Sequence, residues 1–272
     1  MVYSLLITLR EGLEAALIIG ILLACLTRAG QRQGARPVLY GTLAALGVSV
    51  GGGLLIHWLV GGLKGAAMEI FEGSMMLVAT AILTHMLVWM QREARHMKAR
   101  LEGQVAAALT RGSALSLALL SFTVVVREGL ETALFLLAGA RTADSLPLYG
   151  AGAAVGALAA TALGVLLYRG TLRLNLRWFF GVTGWLLVLA AAGMLANGIK
   201  ELHEAGVVPQ VLAHVWDTYH ILPDTTAGGR LLGALAGYDP TPSLVQVVGY
   251  FGYLLLAGSL LVRSTIQRGV TR

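Results

Sequence analysis

Cysteine is almost absent: Cys25 is the single one in a chain of 272 residues. A disulfide framework and a cysteine-built metal site are both excluded. Charge is scarce as well. Asp, Glu, Lys and Arg make up 12% of the chain, about half the share usual in a soluble domain. No long polar stretch interrupts the sequence, so a separate soluble domain is not expected, and residues 1–272 read as one membrane domain. Hydrophobic residues fill the space instead, at 57%. The formal net charge of +6 could suggest a nucleic-acid partner. The positive residues fall between apolar runs, however, where membrane topology places them. The expected surroundings are therefore a lipid bilayer, with no nucleic acid.

A spanning helix needs roughly 20 mostly apolar residues. Stretches of that kind lie near 3–26, 38–60, 69–90, 114–138, 148–168, 178–198 and 246–263. The first has no charge before Arg10 and runs on to Leu26, which predicts a spanning helix and not a cleaved signal. Lys and Arg are distributed unevenly between the intervening loops. Arg28, Arg32 and Arg36; Arg92, Arg95, Lys98, Arg100 and Arg111; Arg169, Arg173 and Arg177; and Arg263, Arg268 and Arg272 all fall on one side. The other side has Lys64, Arg141, Lys200 and Arg230. The positive-inside rule makes the first side cytoplasmic. The expected fold is all-α, with seven transmembrane helices, the N-terminus outside and the C-terminus cytoplasmic. Trp58, Trp89 and Trp178 near span ends suit interfacial anchors. The segment 200–245 is expected to be an external loop. Within it, His214, Asp217, His220 and Asp224 are spaced to share one helical face, up to Pro223.

One string occurs twice: Arg10-Glu11-Gly12-Leu13-Glu14 and Arg127-Glu128-Gly129-Leu130-Glu131. The first copy lies on a helix expected to run inward, the second on one expected to run outward. This predicts a 3+3 inverted-topology repeat, about 1–92 and 113–200, with a seventh helix at 246–263 outside it. Such repeats place their substrate site near the midplane. Phe71-Glu72-Gly73 and Phe179-Phe180-Gly181 are a weaker echo of the same relation.

Each motif puts two glutamates three residues apart, on one helix face, with an arginine four residues before the second. A charged group at the bilayer centre is costly, about 2.5–3.5 kcal/mol on insertion scales. Purely structural ion pairs would be the bland account, but two arginines cannot neutralise four glutamates. A cation or protons must supply the difference, which makes Glu11, Glu14, Glu128 and Glu131 the candidate metal ligands, with Arg10 and Arg127 supporting them. Gly12 and Gly129, between the paired carboxylates, suit either close helix approach and local unwinding at a site or ordinary small-residue packing. Two more Glu-x-x-Glu pairs, Glu69/Glu72 and Glu201/Glu204, are expected at the outer side. With Asp217 they would form an acidic approach, although the helix dipole alone could account for acids opening a helix at Glu69 and Glu72. His85, mid-span, is either a pathway group or a core histidine.

Carboxylate ligands suit hard cations, and the residues alone do not choose among them; Mn²⁺ is the alternative to iron. No His-Glu-x-x-His protease motif occurs, and a transporter is expected, not an enzyme. The doubled Arg-Glu-Gly-Leu-Glu motif resembles the signature of the oxidase-dependent iron permeases, the family of the fungal high-affinity iron permease and the bacterial EfeU-type permeases. Phe71-Glu72-Gly73 with Trp89-Met90, Glu201 to Gly206, Trp216-Asp217 and Gly237-Tyr238 are similar to the bacterial members. The resemblance implies iron import across a bacterial inner membrane. In this reading the four motif glutamates bind iron in transit, iron is cargo with no tightly bound cofactor, and a separate extracytoplasmic oxidase or iron-binding protein is the partner.

Overall fold

The computed structural model describes residues 1–93, 103–104, 107, 114–140, 143, 145–170, 176–209, 212, 214–223 and 225–270. Of the residues named above, Arg95, Lys98, Arg100, Arg111, Arg141, Arg173, Asp224 and Arg272 lie outside them. The described residues are mostly helical, with no strand among them. In chain order the helices are α1 (Val2–Arg28), α2 (Ala35–Val60), α3 (Ala66–Glu93), α4 (Ala114–Ala140), α5 (Leu146–Tyr168), α6 (Leu176–Glu204), α7 (Ala227–Ala236) and α8 (Leu244–Val270).

Among the described residues, five segments are long and apolar enough to cross a membrane: Ala35–Val60, Ala66–Trp89, Leu146–Tyr168, Trp178–Glu204 and Leu244–Leu261. The helices bearing the repeated motif, α1 and α4, are 27 residues each. That is about 40 Å at 1.5 Å per residue, but three ionisable motif residues interrupt each of them. α2 buries only Val38, Gly41, Ala45 and Ser49, and turns Tyr40, Leu43, Val50, Leu54 and Trp58 outward. In water such a face would be an aggregation surface; against acyl chains it is matched.

Small residues decide which helices meet. Gly152, Gly156, Ala160 and Gly164 of α5 lie against Ser4, Thr8, Gly12 and Ala16 of α1. Gly41, Ser49 and Gly53 of α2 lie against Ser121, Gly129 and Ala133 of α4. Both registers ascend together, so each pair is parallel. Without side chains in the way, backbones approach closely and van der Waals packing replaces the hydrophobic drive that lipid cannot supply. A hydroxyl closes each pair: Ser4 Oγ donates to the Tyr149 carbonyl at 2.7 Å, and Ser121 Oγ to the Val38 carbonyl at 2.9 Å. α3 and α6 are antiparallel, with Gly73 on Gly198 and Thr80 Oγ1 donating to the Ala191 carbonyl at 3.4 Å. The weaker sequence echo has no matching packing, since a Cβ on Gly181 would meet nothing within 4 Å. The main core joins α1, α3, α4 and α6 through Tyr3, Ile7, Leu83, Phe135, Leu187 and Met194.

The segment expected as a plain loop is more ordered than that. Thr226 caps α7 by accepting from the Gly229 N–H at 3.1 Å. Gly237 ends α7 in the left-handed conformation, φ 64°. Its Cα packs on Gly193, so close that a Cβ on Gly193 would lie 2.5 Å from it. Gly193 is well inside α6, so α7 folds back along that helix. The proposed helical alignment of His214, Asp217 and His220 does not exist. The chain there is turn and extended segment, tied by Val215 N–H to the Pro242 carbonyl and Thr218 N–H to the Pro240 carbonyl, both at 2.9 Å.

Candidate metal centre between the motif helices

The crossing of α1 and α4 brings the two motifs together. Arg10 and Glu11 are fully buried, and Glu14 and Glu128 nearly so. One oxygen each from Glu11, Glu128 and Glu131 lie within 4.8 Å of one another. Oxygens bound to a single hard cation at about 2.0–2.6 Å are no more than about 5 Å apart, so this group fits one ion of that kind. Glu14 is not in the trio; it joins the cluster through Arg10. Arg10 forks over its own motif, with Nη1 3.0 Å from Glu11 Oε1 and Nη2 3.1 Å from Glu14 Oε1. Nη1 also lies 3.6 Å from Met86 Sδ. Glu11 Oε2 and Glu131 Oε2 are buried and accept no hydrogen bond from the described residues. Buried carboxylate oxygens normally find a partner, and between neighbouring carboxyls that partner is a proton or a cation.

Arg127 behaves differently. Its Nε donates to Glu131 Oε1 at 2.9 Å, its side chain is 44% exposed, and its guanidinium carbon stands 4.9 Å over the Trp89 ring. Trp58 and Trp178, by contrast, are largely exposed near their helix ends, as interfacial anchors should be.

Both motif helices continue unbroken through Gly12 and Gly129, so the local unwinding considered above does not occur. The glycines serve close approach. A Cβ on Gly12 would lie 2.8 Å from Ala160 Cβ, and one on Gly129 would lie 2.7 Å from Ser49 Cβ. A cavity of about 790 Å³ runs lengthwise between the α1–α5 and α2–α4 pairs, and Glu11 and Glu128 reach its wall.

The outer acids also converge. Glu69 is in the first turn of α3 and Glu72 follows. Glu201 and Glu204, expected beyond their helix, are in the last turn of α6. The antiparallel crossing at Gly73 and Gly198 puts these ends side by side, and Glu201 feels the charges of Glu72, Glu204 and Glu69. The dipole favours acids at the start of α3 and disfavours them at the end of α6, so helix capping explains only the first pair. Asp217 is exposed, and its Oδ1 accepts the Tyr219 N–H at 2.9 Å in a turn. His85 is exposed on α3. Sequence reasoning passed over Trp89 and Met86 as arginine contacts, and the pairing of Lys200 with Asp239 at 3.3 Å. The four-residue spacing of small residues in 41–53 and 152–164 was a readable signal for the helix pairs.

Residues 1–268 match the iron permease FTR1 family. The chain is 37% identical over 256 residues to the ferrous iron permease EfeU of Escherichia coli O6:H1, covering 93% of this chain and 92% of that protein. It is equally similar to the protein of that name from Shigella sonnei, and 34% identical to that of Yersinia pestis, with 93% of this chain and 90% of the relative covered. No solved structure matches the chain significantly. A match along almost the whole length, with the doubled motif inside it, places this chain in the iron permease FTR1 family.

Proposed function

We propose that the protein imports iron across a bacterial inner membrane through a carboxylate site formed by Glu11, Glu14, Glu128 and Glu131. The observation that carries this reading is the trio of carboxylate oxygens within 4.8 Å, contributed by two helices bearing the same motif in a chain related to iron permeases. Iron is cargo, held by ligands that must also release it. α1 and α4 join the five apolar segments as spans, giving seven, with the N-terminus outside and the C-terminus in the cytoplasm.

Two halves related by an inverted repeat support alternate exposure of the site. A shift of 117 residues carries Ser4, Gly12 and Ala16 onto Ser121, Gly129 and Ala133. A shift of 111 carries Gly41, Ser49 and Gly53 onto Gly152, Ala160 and Gly164. These three contacts of α1 with α5 thus have counterparts between α4 and α2, as do the serine-to-carbonyl hydrogen bonds. Glu69, Glu72, Glu201 and Glu204 form the outer collecting surface. Met86, beside Arg10, is 14 residues along α3 from Glu72, about 21 Å of helix. A separate extracytoplasmic oxidase or iron-binding protein delivers the cargo to that surface.

The test is radioactive iron uptake by the purified protein in liposomes, offered as Fe²⁺ and as weakly chelated Fe³⁺. Wild type takes up at least one form, and Glu14→Ala and Glu131→Ala lose it. Full uptake by both variants would remove the site. A wild type that takes up Mn²⁺ but neither form of iron would replace the cargo.

A further inference from the structure

The two motifs are identical in sequence, yet their arginines are not equivalent. Arg10 is buried and touches both glutamates of its own motif. If Arg127 repeated that fork, it would cover Glu128 and Glu131. Instead it holds Glu131 through Nε alone, and its guanidinium lies over Trp89. Both arginines meet α3, Arg10 at Met86 and Arg127 at Trp89. Under the repeat, the counterpart of α3 is α6, so the pseudo-symmetry is broken at this point.

We propose that Trp89 is a positioning residue of the metal site: its ring holds Arg127 off Glu128, leaving the Glu128 carboxyl open at the cavity wall to an incoming cation.

The chemistry favours this arrangement. Guanidinium stacks on aromatic faces, and tryptophan gives the strongest cation–π partner. Arg127 is partly exposed on a helix that crosses lipid, where an uncovered charge is unfavourable. The indole face covers it without drawing in a carboxylate beyond Glu131. Arg10 is thus engaged with Glu11 and Glu14 and Arg127 with Glu131, and the guanidinium of Arg127 is turned to the ring instead of to Glu128.

This rests on the reading of the motif glutamates as the metal site, and the experiment separates the two. Initial rates of Fe²⁺ uptake in proteoliposomes are measured against Fe²⁺ concentration for wild type, Trp89→Phe and Trp89→Leu, beside Glu131→Ala. Trp89→Met replaces the leucine variant if the latter is not recovered folded. Loss of the ring frees Arg127 to pair with Glu128, so KM rises about three- to tenfold in the leucine variant. The maximal rate changes less than KM, and Trp89→Phe stays near wild type. An unchanged KM in the leucine variant, or an equal rise in the phenylalanine variant, overturns the role of the ring. Undiminished uptake by Glu131→Ala overturns the site itself, and the proposal with it.

Discussion

Arg10 is the residue on which the buried charges of α1 depend. With no exposed surface, it contacts Glu11 and Glu14 at 3.0 and 3.1 Å. Removing one partner of a buried ion pair leaves an uncompensated charge and typically costs about 3–5 kcal/mol. Arg10→Leu is therefore expected to lower the apparent unfolding temperature of the detergent-solubilised protein markedly. Arg127→Leu, removing a half-exposed group, should lower it much less. A thermal shift series on the two variants decides this. The same residues mark how far the sequence could be read. Spacing put each arginine within reach of the second glutamate of its motif, and both contacts are present. Spacing could not distinguish the two copies, because the difference lies in Met86 and Trp89, far away in the chain.

At the scale of helices, packing is set by stripes of small residues that recur every fourth position. The distance of 2.8 Å from a Cβ on Gly12 to Ala160 Cβ leaves no room for an added methyl unless α1 and α5 separate. Overpacking of this kind costs about 1–3 kcal/mol. Gly12→Ala should destabilise the protein, and Ala160→Gly in the same chain should recover most of the loss, because it removes the opposing carbon. Measuring both variants and the double variant by thermal unfolding tests the contact. If the double variant were no better than Gly12→Ala, Gly12 would matter for something other than this contact. Helix existence was legible from apolar runs, to within a few residues at most ends. α6 and α8 run further than their apolar cores, to Glu204 and Val270, because a helix can continue into polar sequence once its backbone bonds are established. α7 went unseen: ten residues, apolar except for Arg230, are too short to span a membrane, and their place is fixed by the meeting of Gly237 with Gly193.

For the whole molecule, the uneven distribution of lysine and arginine predicts its orientation in the membrane. In a Cys25→Ser background, a cysteine at position 64 should react with an impermeant maleimide added outside intact cells, and one at position 169 only after permeabilisation. The reverse pattern would invert the molecule and move the outer glutamates to the cytoplasm. The sequence by itself determined the membrane character, the apolar segments and the doubled motif. Each of these is local, written in composition and in spacings of a few residues. Only the tertiary structure decided that Glu11, Glu128 and Glu131 converge while Glu14 joins through Arg10, and that Glu69/Glu72 meets Glu201/Glu204. Those outcomes depend on contacts between residues often a hundred or more positions apart. Such contacts follow from which helix faces can approach closely, and no local pattern of charge encodes that.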